Sequence, residues 1–511
     1  STVAMILIMV QGNAQQHQIV KKDQHAIYPP QHKCGLKHFT PEGVKPRLLK
    51  NRKDYPNFVR QRGTITYVPI KFHLVADNEG LGRVRERRVL NGLCILNSMY
   101  FDHEIQFYIK DGFNYIDYLP LFDDVSSTNA YQKMLDEKVN NALNVFVVDD
   151  IDFNNVVSYY QGPAGSETDY IVIEGNYVAH AAALSHDIGH FFSVPHPFNG
   201  WEDNPWDLQI HGNPVGNLAP DGQTENDRVD ESNCLTAADG ICDTPPDYNF
   251  EPINFGCNTN WTSNVMDVNG EVVDPMENNV MSFFQNCPDY MFTSDQGDVI
   301  HVDLNTPNRS YVNPGDTPNL TEITTQPTLN YPPDEVDVGG ESIQFQWEEV
   351  EGASHYLLEV DRITSFSFEL RSFVTTANAK TVTNLEIDKT YYWRVRAFGD
   401  LNTCTTYSEP NSFHTLVGTN TIDLESVNDW TVSPNPVSKN KNIFVALNAI
   451  NSFDARVDVY SMTGQLLSSV ENTFGIGSNT LELSTKGFST GMYIVSIQSS
   501  EGVMTKKVAV R

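Results

Sequence analysis

Basic residues are scarce in this chain of 511 residues. It contains 34 Lys and Arg against 65 Asp and Glu, for a net charge of −31. Nucleic-acid binding needs a basic face, so this balance argues against a nucleic-acid partner. The sequence also lacks an apolar run of about twenty residues, the length that a membrane-spanning helix requires. Together, these absences predict an acidic protein with no nucleic-acid partner and no membrane span.

Cysteine is scarce as well, with seven in the chain. So few cysteines argue against a small scaffold held together by many disulfides. Four of them, Cys234, Cys242, Cys257 and Cys287, lie close together in the sequence. Four cysteines allow three pairings, and the residues alone do not choose among them. Because none forms a C-x-x-C pair, a second metal site is disfavoured. Cys94 lies in an apolar stretch and is predicted to be a core thiol.

A short apolar run opens the chain. Residues 3–10 are continuously apolar, and Gly12, Asn13 and Ala14 follow shortly after. This pattern is typical of the apolar core and cleavage site of a secretory signal peptide. We therefore predict that residues 1–14 are the remainder of a signal peptide and that the protein is exported. A buried first strand is the alternative.

Three histidines lie at metal-ligand spacing near the middle of the chain. His186 and His190 are four residues apart, so on a helix both imidazoles project from one face. The Ala-rich segment 177–184 before them contains no Gly or Pro and favours a helix. Pro195 disfavours further helix, so His196 would approach after a turn. Three imidazoles leave one corner of a tetrahedral zinc site for water, as in catalytic zinc sites. The first two histidines alone would also fit a helix surface or a core pair.

The run from His186 to His196 resembles the long zinc signature of the metzincin proteases, H-E-x-x-H-x-x-G-x-x-H, with Met281 as its Met-turn. The Cys-Asp-Thr-Pro run at 242–245 narrows the resemblance to the pappalysin or cytophagalysin family. This resemblance implies a secreted zinc metalloendopeptidase that is made as a latent precursor. It would use a zinc-activated water to hydrolyse peptide bonds of protein or peptide substrates.

Three positions depart from the family pattern. Asp187 replaces Glu, and its shorter side chain draws the carboxylate back from the water that it would deprotonate. Phe283 replaces a Tyr that often helps to stabilise the oxyanion, a bond worth about 2.7 to 4 kcal/mol. Ser193 replaces Gly and affects only a backbone angle. We therefore expect an intact zinc site with Asp187 as the base and reduced catalysis. The alternative is a non-catalytic, zinc-stabilised binding or adhesion protein of the cell surface.

The polar segment 15–60 resembles a pro-segment. It contains Cys34, whose thiolate could bind zinc and keep the zymogen inactive. An unpaired or disulfide-bonded thiol is the alternative interpretation. The family resemblance also implies two disulfides, Cys234 with Cys257 and Cys242 with Cys287.

A calcium site is also implied by the resemblance. Asp239, Asp243 and the carbonyl of Thr244 offer hard oxygen ligands close together in the sequence. Their alternative role is to cap turns. Calcium is therefore a second expected metal, after zinc.

Residues 61–305 are expected to form an α/β metzincin-like catalytic domain. Periodicity predicts four strands and two helices in its first half. Between His196 and Met281, turn-forming residues predominate and predict an irregular half. The predicted strands are 64–75, 105–109, 143–148 and 170–174, and the predicted helices are 85–100 and 131–142.

Two all-β sandwich domains are expected to follow. Residues 317–416 resemble a fibronectin type III domain, with Trp347 in the core and Tyr391 as the tyrosine corner, serving as a spacer or a substrate-holding surface. Residues 428–511 contain Ser-Pro-Asn-Pro and resemble the C-terminal sorting domain of the type IX secretion system. That resemblance implies passage through the periplasm, the secretion machinery as a partner, and a secreted or cell-surface protein. Another adhesion-type sandwich is the alternative.

Overall fold

The structure is a computed structural model. It describes residues 33–36, 40, 43–151, 155–165, 167–180, 182–250, 256–257, 262–315, 317–339, 342–416, 424, 426–461, 466–499 and 502–511. The expected signal peptide, 1–14, lies outside the described residues. The chain forms several domains, most of them built from β-sheets.

A sheet of seven strands forms the centre of the first part of the described chain. The strand order is β1-β6-β7-β5-β2-β3, and β4 also pairs with β2. Apart from the antiparallel pair β6 and β7, neighbouring strands run parallel. The strands are β1 (Lys33–Cys34), β2 (Thr66–Ala76), β3 (Ile105–Ile109), β4 (Asn114–Asp117), β5 (Leu143–Val148), β6 (Val156–Gln161) and β7 (Tyr170–Glu174).

Helices cover this sheet and carry the histidine run. All six residues of β5 are buried, as expected for a strand that is covered on both faces. The α-helices are α1 (Lys45–Asp54), α2 (Glu86–Tyr100), α3 (Leu119–Asp123), α4 (Thr128–Glu137), α5 (Ala183–Phe191), α6 (Leu208–His211) and α7 (Ser294–Leu304). Short 3-10 helices span Phe101–His103 and Pro307–Val312.

Helix α2 approaches the start of the histidine helix closely. A Cβ on Gly92 would lie 2.2 Å from the carbonyl oxygen of Val178, so a larger residue would not fit there. The Tyr100 hydroxyl of α2 donates a hydrogen bond of 3.0 Å to the carbonyl oxygen of Ser185 in α5. These contacts fix α5 between the sheet and α2.

Two disulfides hold the irregular region between α5 and α7. They join Cys234 to Cys242 and Cys257 to Cys287, across 8 and 30 residues. The predicted pairing, Cys234 with Cys257 and Cys242 with Cys287, is therefore wrong. The observed bonds each close a local loop, and sequence spacing does not distinguish this arrangement from the other two.

Residues 329–416 form a sandwich of two sheets, with strand orders β13-β10-β8 and β12-β11-β14-β15-β9. Trp347 is buried in its core, and the Tyr391 hydroxyl accepts a hydrogen bond of 3.0 Å from the backbone N–H of Glu386. Both side chains therefore lie where the sequence predicts them. The strands are β8 (Leu329–Tyr331), β9 (Val336–Gly339), β10 (Ile343–Trp347), β11 (His355–Asp361), β12 (Arg371–Thr375), β13 (Ala379–Val382), β14 (Lys389–Phe398) and β15 (Asn411–Leu416).

This sandwich is attached directly to α2. Cys94 forms a disulfide with Cys404, 310 residues later, so the prediction of a core thiol is wrong. At the start of the same helix, the buried carboxylate of Glu86 accepts a hydrogen bond of 2.7 Å from Ser372. Leu357 of the sandwich also belongs to the same apolar core as the first sheet. The sandwich is therefore packed directly on the first domain.

The C-terminal domain is a second sandwich with a separate core. Its sheets have the orders β16-β17-β20 and β19-β18-β21-β22. In the described part of the chain, no helix is both long and apolar enough to span a bilayer. The strands are β16 (Val427–Ser433), β17 (Asn442–Ala449), β18 (Phe453–Ser461), β19 (Leu466–Phe474), β20 (Gly477–Ser484), β21 (Gly491–Ser499) and β22 (Gly502–Val510).

Candidate metal centre

Helix α5 and the turn after it bring three histidines together. His186 and His190 lie one turn apart on this fully buried helix. The helix ends at Phe191, and Ser193 then adopts a positive φ of 73°. The N–H of Val194 donates to the carbonyl oxygen of Gly189 at 2.9 Å, which reverses the chain. This turn directs His196 back towards the other two rings.

The three Nε2 atoms form a nearly equilateral triangle. The distances are 3.0 Å from His186 to His190, 3.1 Å from His190 to His196 and 3.2 Å from His186 to His196. Zinc–nitrogen bonds of about 2.0–2.1 Å at tetrahedral angles place ligand nitrogens about 3.3 Å apart. One zinc ion therefore fits all three nitrogens.

Hydrogen bonds on the far side of the rings determine their tautomers. The Nδ1 atoms of His186 and His190 lie 2.8 Å from the carbonyl oxygens of Val280 and Val194. A carbonyl only accepts, so each Nδ1 carries the proton and each Nε2 presents a lone pair. Buried lone pairs that face one another need a cation, and this arrangement is typical of metal-binding histidines.

Cys34 supplies a fourth ligand atom to this cluster. Its Sγ lies within 4.8 Å of the three histidine nitrogens, and these four residues form the one metal-ligand cluster found among the described residues. Strand β1 holds the thiol there because Cys34 pairs with Ser158 on the edge of β6. Burial and the neighbouring Asp187 raise the pKa of the Cys34 thiol. A coordinating cation has the opposite effect and deprotonates a thiol.

Asp187 lies next to the first histidine ligand and is completely buried. Its Oδ1 accepts a hydrogen bond of 3.4 Å from the Sγ of Cys34. Its Oδ2 has no hydrogen-bond partner among the described residues. Burial raises the pKa of this carboxyl group to about 7. The interactions of this carboxyl group with the Ser158 hydroxyl and the Cys34 thiol act in the opposite direction and lower its pKa.

Aromatic and thioether side chains pack against the histidine cluster. The Phe283 ring lies 5.0 Å from the His196 ring and 4.7 Å from the Phe198 ring, and it offers no hydroxyl group. Met281 is fully buried beneath α5. A Cβ on Gly189 would lie 2.5 Å from its Sδ, so Gly189 permits this packing.

Sequence reasoning missed the role of Arg47. This residue of α1 donates through its guanidinium to the carbonyl oxygens of His190 and Phe191, at 2.9 and 2.6 Å. It also donates to Ser193 Oγ at 2.5 Å, and Ser193 Oγ in turn donates to Asp303 at 2.6 Å. Ser193 therefore links α1 and α7 to the turn between His190 and His196. A single arginine in a polar segment carries no sequence signal of this role.

The two carboxylates predicted to bind calcium each accept hydrogen bonds from protein donors. The carboxylate of Asp239 accepts from the N–H of Ile241 and the hydroxyl of Thr244, both at 2.9 Å. Asp243 accepts from the Thr293 hydroxyl and from the N–H of Asp295, at the start of α7. The carboxylates thus close a turn and cap a helix, and calcium binding stays a prediction.

Comparison with known proteins identifies the C-terminal domain. Residues 431–511 match the family described as "Secretion system C-terminal sorting domain". This match confirms the predicted type IX sorting domain, and it indicates a secreted or cell-surface protein that engages the secretion machinery. No curated protein matches the chain.

Two solved structures align with parts of the chain. One contains the FN1–FN3 domains of chicken CNTN1, at 12% identity, covering 37% of this chain and 68% of that chain, with a TM-score of 0.17. The other is an alpha-L-rhamnosidase from Dictyoglumus thermophilum, at 10% identity. The alignment covers 38% of this chain and 29% of that chain, also with a TM-score of 0.17. Such low scores assign no fold, so the fibronectin-like character rests on the sandwich itself.

Proposed function

We propose that the protein is a secreted zinc metalloendopeptidase of the metzincin type, similar to the pappalysins, and that the structure represents its latent form. One observation carries this proposal. Three histidine Nε2 atoms lie 3.0–3.2 Å apart, and the Cys34 Sγ lies within 4.8 Å of all three. The tautomers of His186 and His190 leave their lone pairs directed at one point.

Zinc held by His186, His190 and His196 would act as a Lewis acid and lower the pKa of a coordinated water. Asp187 would receive the proton of the attacking water. Its Oδ2 has no hydrogen bond among the described residues, so it would be free to accept this proton and later return it to the leaving amine. The Asp side chain is one methylene shorter than Glu, so we expect proton transfer to be slower than with Glu.

The edge of β6 is the proposed binding site for the substrate backbone. In the latent form this edge is covered by β1, with Cys34 opposite Ser158 and the N–H of Gly35 donating to the Ser158 carbonyl at 2.9 Å. An exposed strand edge binds an extended peptide through main-chain hydrogen bonds. When β1 leaves, a substrate can pair with the same strand next to the histidines.

The second candidate function is a zinc-stabilised, non-catalytic binding protein. Phe283 favours it, because its ring packs against His196 at the place where a hydroxyl group would have assisted the reaction. The loss of one such donor reduces turnover about 10²- to 10³-fold. The same zinc site would then serve only to stabilise the irregular region around α5.

Cleavage of an unfolded protein substrate separates the two functions. The Cys34→Ala chain, loaded with zinc, should cleave casein-like substrates, and a chelator should abolish the cleavage. Asp187→Ala should lower the rate about 10²- to 10⁴-fold, whereas Asp187→Glu should retain or increase it. Zinc content measured on every variant provides the control for an intact site. A zinc-loaded Cys34→Ala chain without any cleavage would favour the non-catalytic function.

A further inference from the structure

The far side of the His196 ring faces a charged group, unlike the far sides of the other two histidine rings. The Nδ1 atom of His196 lies 3.4 Å from a carboxylate oxygen of Glu202. The corresponding atoms of His186 and His190 lie 2.8 Å from backbone carbonyl oxygens, which carry no net charge. A carboxylate only accepts hydrogen bonds, so the Nδ1 of His196 carries the proton and its Nε2 presents a lone pair. Each of the three rings is therefore fixed in the tautomer that a metal ion needs.

Glu202 is held in place by its own loop. Its second carboxylate oxygen accepts a hydrogen bond of 2.8 Å from the backbone N–H of Gly200. Gly200 has a φ of 100°, and a Cβ there would lie 2.8 Å from the Cβ of Ala219, so this position requires glycine. The Glu202 side chain is 18% exposed. Because both oxygens are engaged and most of the side chain is buried, the carboxylate can hold the His196 ring in one orientation.

The residue before Glu202 anchors this loop to the irregular region. Trp201 is buried, and its ring stacks on the Tyr248 ring with 5.1 Å between the ring centres. Its indole N–H donates to the side-chain oxygen of Asn226 at 2.8 Å, and its carbonyl oxygen accepts from the side-chain amide of Asn249 at 3.1 Å. These contacts connect the irregular region to the carboxylate beside a proposed metal ligand.

A carboxylate beside a metal-binding histidine has two effects. It fixes the tautomer and orientation of the ring, and it raises the basicity of the ring nitrogen that binds the metal. In a mostly buried site its negative charge also offsets part of the charge of a dication, since a low local dielectric strengthens their attraction. A backbone carbonyl orients a ring without supplying a net charge. Among the three rings, His196 is therefore the one whose far side supplies a negative charge to the metal centre.

We propose that Glu202 is a positioning residue of the metal centre, which orients His196 and makes it a stronger zinc ligand. The inference rests on the zinc binding in the proposed function and does not depend on peptide cleavage. It also gives the irregular region a role, because the contacts of Trp201 determine where the Glu202 carboxylate lies. Through this loop the irregular region controls how tightly the zinc ion is held.

Zinc affinity tests this role without turnover. It is measured by competition with a chelator in the full-length Cys34→Ala chain, in which the three histidines hold the metal. The further change Glu202→Ala should weaken zinc binding about 10- to 100-fold. Glu202→Gln should cause a smaller loss, because the amide oxygen still accepts from Nδ1 but carries no charge. Glu225→Gln removes a charge at an exposed position of the same region and should leave zinc affinity unchanged.

Cobalt in place of zinc supplies a spectroscopic signal. The Nδ1 proton of each cobalt-bound imidazole gives a strongly shifted proton resonance that disappears in heavy water. The Cys34→Ala chain should show one such resonance for each of the three rings, and Glu202→Gln should retain all of them. Glu202→Ala should lose or broaden one resonance, because the unprotected proton of His196 exchanges faster with solvent. Loss of every resonance in Glu202→Ala would show a general effect on the fold and would overturn the specific role of Glu202.

The failures of the two proposals are distinguishable. Zinc affinity in Glu202→Ala equal to that of the Cys34→Ala chain, or an unchanged set of cobalt resonances, overturns the positioning role whether or not peptides are cleaved. If Glu202→Ala loses affinity as expected but the zinc-loaded Cys34→Ala chain cleaves no protein, the positioning role stands and the peptidase function falls. A Cys34→Ala chain that binds no zinc overturns both proposals.

Discussion

Replacing Arg47 by Met would remove the charge that holds α1 against the metal-binding turn. The guanidinium group contacts the carbonyl oxygens of His190 and Phe191, the hydroxyl of Ser193 and, at 3.2 Å, the carboxylate of Asp303. Met retains an unbranched aliphatic side chain, so the substitution removes donors and charge while it preserves much of the packing.

The expected loss of stability is about 3 kcal/mol. A hydrogen bond to a charged group contributes about 1.5–3 kcal/mol, and breaking a buried ion pair costs about 3–5 kcal/mol. Arg309 still pairs with Asp303 at 3.0 Å, which keeps the loss at the lower end of that range. The first domain and the sandwich form a unit of more than 250 residues, so the midpoint of thermal unfolding should fall by roughly 6 °C or less. The turn between the proposed zinc ligands His190 and His196 also loses its support, so bound zinc should dissociate faster.

Calorimetry and the rate of zinc transfer to a chelator measure these two effects. Lys50→Met is the matched control, because it removes a charge from the same helix at an exposed pair with Asp54. Exposed pairs contribute little, so this variant should resemble the parent. An Arg47→Met chain that unfolds at the parental temperature and retains zinc as long as the parent would refute a positioning role for Arg47.

Three further predictions concern the rest of the chain. Replacing both Cys94 and Cys404 by Ser should lower the free energy of unfolding, measured by chemical denaturation, by on the order of 4 kcal/mol, because the disulfide closes a very long loop. Equal free energies for the oxidised parent and the variant would contradict this prediction. Burial lowers the pKa of His73 from 6.5 to about 4. As the pH falls below 6.5, the unfolded chain therefore binds a proton that the folded chain does not bind. About 2 kcal/mol of folding stability should be lost between pH 7 and pH 5. In the His73→Gln variant, the free energy of unfolding measured with urea should change less over this pH range. An unchanged dependence on pH would show that His73 is not its cause. Calcium should raise the melting temperature of the zinc-loaded chain, and Asp239→Asn should abolish that rise. If calcium does not change the melting temperature, Asp239 serves only to stabilise its turn.

Local patterns predicted the elements that carry the candidate site. The strands at 105–109, 143–148 and 170–174 have the predicted bounds, since short, mainly apolar runs specify strands that are covered on both faces. The helix predicted over 131–142 instead spans Thr128–Glu137, because a Ser127 cap starts it earlier. The histidine spacing and the turn after it were also readable, because both depend on residues close in sequence.

Contacts between distant residues were not readable in the same way. Cys94 and its partner Cys404 belong to different domains, and an apolar neighbourhood in sequence gave no sign of the bond. The local disulfides were assigned wrongly because cysteine spacing permits every pairing. The position of Arg47 behind the metal-binding turn depends on how α1 packs, which a single sequence does not encode in a recognisable motif.

The bond between Cys94 and Cys404 has a consequence for how this protein can be divided. Helix α2 presents Cys94 and the buried Glu86 to the sandwich, and Gly92 of the same helix touches the segment leading into α5. A recombinant fragment that ends near residue 316 would leave Cys94 without its disulfide partner. It would also expose the face of α2 that packs against the sandwich, although α2 supports the segment that leads to the histidines. The smallest fragment suitable for expression is therefore expected to extend through Leu416. The domain boundary predicted from the sequence, between residues 305 and 317, would divide a single cooperative unit.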